Sequence, residues 1–173
     1  MNKKVLVVLI ILVWAIALGG FIAYKEYTLR TGEVILLKTM PVDPRDLFRG
    51  DYVVLTYEIS RLDSNNFPNR FPELNEGDIV YVELQKGEKY WTAVNIYKEN
   101  PNKTSIKGRV KNKHDNSLNM EYGIESFFVP EGEGRELENA RNANRLDVQV
   151  SIDKFGNAVI KNLLLDDKVW IAP

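Results

Sequence analysis

Residues Val5 to Tyr24 form an uncharged, almost wholly apolar run of twenty: V-L-V-V-L-I-I-L-V-W-A-I-A-L-G-G-F-I-A-Y. As a helix it would extend about 30 Å, the thickness of a bilayer's hydrocarbon core, and a helix satisfies internally the backbone hydrogen bonds that hydrocarbon leaves unmet. Lys3 and Lys4 precede the run, Lys25 and Glu26 follow it, and Tyr24 has the amphipathic side chain suited to the interface. The reading is an anchor over residues 1–24, holding the bilayer through Val5 to Tyr24, with residues 25–173 exported as one domain. Ala15-Ile16-Ala17 also offers an A-x-A cleavage site behind a basic start, the pattern of a signal peptide. The apolar run continues past it through Leu18, Phe21, Ile22 and Ala23, which favours an uncleaved anchor. Either way the remainder is exported. Lys3 and Lys4 favour a cytoplasmic N-terminus, while Lys25, Arg30 and Lys38 compete from the other side. A short basic tail with a folded domain behind the helix favours N-terminus in, domain out.

The domain reads as mainly β, a sandwich or partly open barrel with one short helix. Alternation is clearest in Leu146-Asp147-Val148-Gln149-Val150-Ser151-Ile152, with four apolar residues on one face. Phe155-Gly156-Asn157 then supplies a turn, and Ala158 to Leu164 completes a hairpin. Earlier strands are expected at Glu33 to Thr39, Tyr52 to Ile59, Ile79 to Leu84 and Tyr90 to Tyr97. A strand through Ile106, Gly108 and Val110 turns at His114-Asp115-Asn116-Ser117 and returns through Leu118, Met120 and Tyr122. Val169 to Ile171 forms a short last strand. Leu137 and Ala140 share one face of a helix expected over Gly134 to Asn144. No cysteine is present, so disulfides, thiolate chemistry and Cys-ligated metals are excluded. A net charge of −1, with both signs interspersed, gives no reason to expect a nucleic-acid partner.

Asp43 to Tyr57 reads D-P-R-D-L-F-R-G-D-Y-V-V-L-T-Y: three Asp and two Arg in one Pro/Gly-marked turn that runs straight into a strand. Its last eight residues, Gly50 to Tyr57, match G-D-Y-x-x-L-x-Y without a departure. The chain thereby resembles the GDYxxLxY family of membrane-anchored bacterial proteins. That resemblance places the anchor in a bacterial cytoplasmic membrane and implies no activity. It also extends to Tyr122-Gly123-Ile124-Glu125 and Phe128-Val129-Pro130-Glu131-Gly132. Alternation puts Val53, Leu55, Tyr57 and Ile59 on the core face, with the Tyr57 hydroxyl in need of a partner. Tyr52 leaves on the other face, beside the charged turn.

Asp43, Arg45, Asp46, Arg49, Asp51 and Tyr52 are candidate binding residues, with Glu125 and Glu131 as further members. An Arg fork can grip an anionic group, but two Arg facing three carboxylates also make an ordinary ion-paired scaffold. A hard-cation site on the Asp residues lacks calcium-loop spacing. Glu125 and Glu131 are expected to sit among aromatics, where a carboxylate needs a partner; Arg45 or Arg49 could serve. No cofactor and no metal site is expected. The favoured reading is a non-catalytic module that binds or assembles with a membrane or envelope protein. The enzymatic alternative is a signal-peptidase-like hydrolase. Those proteases carry S-M-x-P-T and then G-D-x-V, whereas here Thr39-Met40-Pro41-Val42-Asp43-Pro44 replaces Ser by Thr and misplaces the Pro. Lys107, the lysine in corresponding context, has no serine partner by motif. His114, the one histidine, lies in a polar turn.

Overall fold

A computed structural model describes residues 3–42, 52–67 and 73–172 of the chain. Helix α1 runs over Lys3–Thr31, and its apolar side chains, Val13, Trp14 and Ile22 among them, stand exposed. It is long and apolar enough to cross a membrane. The helix does not stop where the apolar run ends. Residues 25–31 carry it on for nearly two more turns and lay it against the domain, where Thr28 is fully buried. The Thr28 carbonyl accepts from Ser151 Oγ at 2.7 Å and from the Gly32 amide at 2.9 Å. A Cβ on Gly32 would lie 2.5 Å from Ser151 Oγ and 2.6 Å from the Thr28 oxygen. Only glycine lets helix and sheet approach this closely.

The remaining elements in chain order are β1 (Glu33–Lys38), β2 (Tyr52–Val54), β3 (Arg61–Asp63), β4 (Ile79–Lys86), β5 (Trp91–Tyr97), β6 (Ser105–His114), β7 (Ser117–Glu121), β8 (Ser126–Phe128), α2 (Gly134–Asn142), β9 (Leu146–Ile152), β10 (Ala158–Leu165) and β11 (Lys168–Val169). One antiparallel sheet has the order β1-β9-β10-β11, a second β3-β7-β6-β4-β5, and β2 pairs with β8 alone. Main-chain bonds sew the three together. Thr39 bridges Tyr57 and Lys107 N donates to Gly156 O at 2.8 Å, while Leu55 N, donating to Glu125 O at 2.8 Å, prolongs the β2–β8 pair. The result is a mainly β, nearly closed barrel-like fold. Its core draws Ile35 and Leu37 from β1, Val80 and Val82 from β4, Ile106 and Val110 from β6, and Val148 and Val150 from β9. Leu137 and Ala140 of α2 plug into it.

The alternating strand expected at Leu146–Ile152 is β9, with those bounds. Its polar face is covered too. Ser151 meets the end of α1, and Asp147 accepts from Tyr90 OH at 2.9 Å and pairs with Lys89 at 3.1 Å. The continuous strand expected over Tyr52 to Ile59 is broken. After Val54 the chain changes pairing partners, makes a single 3₁₀ turn over Glu58–Ser60, and joins a different sheet as β3. The face assignment survives this change: Val53, Leu55, Tyr57 and Ile59 are all buried. Alternation reports which side is wet, not which strand lies alongside.

Candidate functional site

Asp43, Arg45, Asp46, Arg49 and Asp51 lie outside the described residues; the residues that flank them, Val42 and Tyr52 to Val54, are described. On the N-terminal side Val42 donates its amide to Asn142 Oδ1 at 3.3 Å. On the C-terminal side β2 is held by the neighbouring residue of the same helix. Arg141 donates through Nη1 to the Val54 carbonyl, and through Nε and Nη2 to Asn142 Oδ1 at 3.2 and 3.1 Å. The described residues on either side of the segment, Val42 and Val54, are therefore tied to one end of α2.

Arg141 is 2 % exposed. Burial pushes its pKa down, with the charge of Glu138 opposing. Its partners are main-chain and amide oxygens, and among the described residues it forms no salt bridge. Sequence reasoning passed over it. The available signal was its place one residue after Ala140 and four after Leu137, on the buried stripe of the helix.

The last two fixed letters of the octet, Leu55 and Tyr57, are core residues, as the alternation predicts. Tyr57 Oη donates to the Ile124 carbonyl at 2.5 Å, and Tyr122 Oη donates to the Ile59 carbonyl at 2.6 Å. Each tyrosine thus reaches across to the segment that carries the other. Burial, and after it the charge of Glu125, push both phenols well above their ordinary pKa. Tyr122 lies over Gly108, where a Cβ would come within 2.7 Å of its ring. The half-buried Glu125 accepts the Tyr122 amide at 2.5 Å, so its carboxylate has a local main-chain donor.

Tyr52 opens β2 and pairs with Phe128 in register. Their ring centroids are 5.9 Å apart and tilted by 54°. Phe128 is 77 % exposed, among the most exposed aromatic side chains described. Glu131 follows three residues later, exposed in the turn before α2. Tyr52 and Phe128 therefore form one aromatic patch beside the charged turn, while Glu125 faces the tyrosine latch and Glu131 lies on the loop beyond.

Thr39, the residue standing where the proteases place serine, is buried and donates its hydroxyl to the Leu146 carbonyl. Lys107 lines a cleft elsewhere, with Lys25 and Arg109. His114 ends β6, opposite Ser117 and exposed.

The chain matches no curated protein and no solved structure. A family model described as GDYXXLXY protein matches residues 14–163, from within α1 to within β10. The octet, the segment Tyr122 to Glu125 that it latches, and the helix end that frames the charged turn all fall inside that span: the chain belongs to the GDYXXLXY protein family.

Proposed function

We propose that this protein is a membrane-anchored module of the bacterial envelope that binds another membrane or envelope protein without catalysis. Its N-terminus lies in the cytoplasm, and the β domain stands on the outer side of the cytoplasmic membrane. The observation that carries this reading is the pairing of Tyr52, directly after the charged segment, with the largely exposed Phe128, on a strand that Arg141 ties to α2 while Asn142 holds Val42 on the other side. Fixed flanks set where the charged segment leaves and re-enters the domain. Aromatic and Arg side chains are the types that most often carry interface energy. In this reading Arg45, Arg49 and Tyr52 engage the partner. Asp43, Asp46 and Asp51 set the turn and its charge pattern, and Glu131 borders it.

In-membrane crosslinking of the affinity-tagged full chain, read by mass spectrometry, tests this. The Arg49→Ala variant should lose the dominant crosslinked partner while its melting temperature stays within a degree or two of wild type, as for a surface change of about 0.5 kcal/mol or less. A large fall in melting temperature would instead make the cluster part of the scaffold. No partner in either sample would remove the assembly reading.

A further inference from the structure

Beside the end of α1 lies a cleft of about 230 Å³, distinct in its lining from the larger cleft near Glu33. Lys25 contributes from α1, Lys107 and Arg109 from β6, and Ile79 from the start of β4; Tyr122 closes its back. Lys25, Lys107 and Arg109 thus line one cleft that holds a single carboxylate, Glu121, whose Oε1 is taken by Lys111 at 2.6 Å; Lys25 Nζ lies 5.9 Å from the Phe21 ring, one turn back along α1. Lys25, Lys107 and Arg109 themselves form no salt bridge among the described residues.

The height of this cleft along the helix is fixed by hydrogen bonds. Tyr24 ends the apolar run and donates to Asp153, and Asn157 donates to the Tyr24 oxygen at 2.8 Å. The same turn holds β6, because Lys107 N donates to Gly156 O at 2.8 Å. Lys25 is one residue, about 1.5 Å of helix rise, beyond Tyr24. With α1 in a bilayer, the cleft therefore opens at the level of the lipid headgroups. The turn itself has the composition of that level: Phe155 is 54 % exposed, and Lys154 Nζ lies 5.0 Å above its ring. Ile79, 48 % exposed, offers the cleft an apolar lip.

We infer that this cleft binds the anionic headgroup of a phospholipid from the membrane that holds α1. Lys25, Lys107 and Arg109 take the phosphate oxygens, Ile79 meets the start of an acyl chain, and Phe155 enters the interface on the other flank. The Arg109 fork supplies directed donors and the two lysines supply point charge. The inference rests on α1 lying in a bilayer, not on the identity of any protein partner.

The test uses the full chain. Flotation with vesicles of phosphatidylcholine, alone or mixed equally with phosphatidylglycerol, reports the anchor. Native mass spectrometry of the detergent-solubilised chain, titrated with each lipid, reports the cleft. Wild type should prefer phosphatidylglycerol. Lys107→Gln with Arg109→Gln should weaken that binding about 30-fold, at about fivefold per cation near an anionic surface, and Lys25→Gln alone about fivefold. Lys86→Gln, at the end of β4 away from Ile79, with Lys168→Gln, opposite Leu165 at the end of β10 away from Ala158, should leave it unchanged. Wild type without a preference, or the Lys107/Arg109 variant still preferring the anionic lipid, would overturn the site. Displacement of phosphatidylglycerol by an equal concentration of inorganic phosphate would overturn the lipid as its occupant. A chain that floats but does not discriminate loses the cleft and keeps the anchor; a chain that does not float loses both.

Discussion

Two phenols hold the motif to the rest of the domain. Tyr57 and Tyr122 each donate to a carbonyl in the other's neighbourhood, Ile124 and Ile59. Replacing either by Phe leaves a buried carbonyl short of a donor, at a cost of about 1–3 kcal/mol. Chemical denaturation of Tyr57→Phe, Tyr122→Phe and the double variant should give that loss for each single change. The combined loss should differ from the sum, because the two residues clamp the same pair of segments. Additive losses would mean that the two bonds act separately. At this scale much was legible. Alternation alone assigned Leu55 and Tyr57 to the core and required a partner for the Tyr57 hydroxyl. It could not name Ile124 as that partner, because a main-chain acceptor 67 residues away leaves no mark on side-chain type. Arg141 was hidden for a related reason. Its partners are a carbonyl and an adjacent amide, so no complementary charge in the sequence points to it.

Among the elements, β9 was readable end to end while the strand begun at Tyr52 was not. In β9 the four apolar residues face one core and the chain stays in one sheet. From Tyr52 to Asp63 the chain serves β8, then Thr39 just past β1, then β7. Each change of neighbour ends a strand without altering the apolar period. The extension of α1 beyond Tyr24 was equally silent, since residues 25–31 are mostly polar and their packing depends on Ser151 and Gly32 meeting in space. That junction gives the prediction at this scale. Gly32→Val places a branched side chain where a Cβ already lies under 3 Å from three atoms. The expected cost is about 1–3 kcal/mol or more. Amide exchange in the full chain in micelles should quicken at Thr28, Gly32 and the facing residues of β9, and stay unchanged in β4 and β6. Unchanged exchange at Gly32 would mean that the helix end is not locked on the sheet.

For the whole molecule, the joint between helix and barrel responds to acid. Burial pushes the Asp153 pKa up. Hydrogen bonds from the Tyr24 hydroxyl, from the Asn157 side chain and from the Asn157 and Phe155 amides outweigh it, and the net direction is down. A carboxyl whose folded pKa lies below its unfolded value, about 3.9, contributes its stability in full above that value. The contribution is lost as pH falls through the folded pKa. Asp153→Asn keeps an acceptor oxygen without the titration. The melting-temperature gap between wild type and Asp153→Asn should be constant at neutral pH and close between about pH 4 and pH 2; a gap that stays constant to pH 2 would place the acid response elsewhere. The architecture as a whole was legible as a mainly β fold behind one apolar helix, because the first rests on alternation and the second on an unbroken apolar run. The closure of three sheets round one core was not, because it depends on main-chain bonds such as Lys107 to Gly156 that any residue type can make. The absence of slack at Gly32 reaches beyond the joint itself. With no hinge between them, helix and barrel turn as one body, like a key and its bow. A neighbouring helix that rotates α1 by one residue's step, about 100°, swings the aromatic patch through the same arc. With α1 in a bilayer, the direction in which the barrel faces would be set by what packs against the helix.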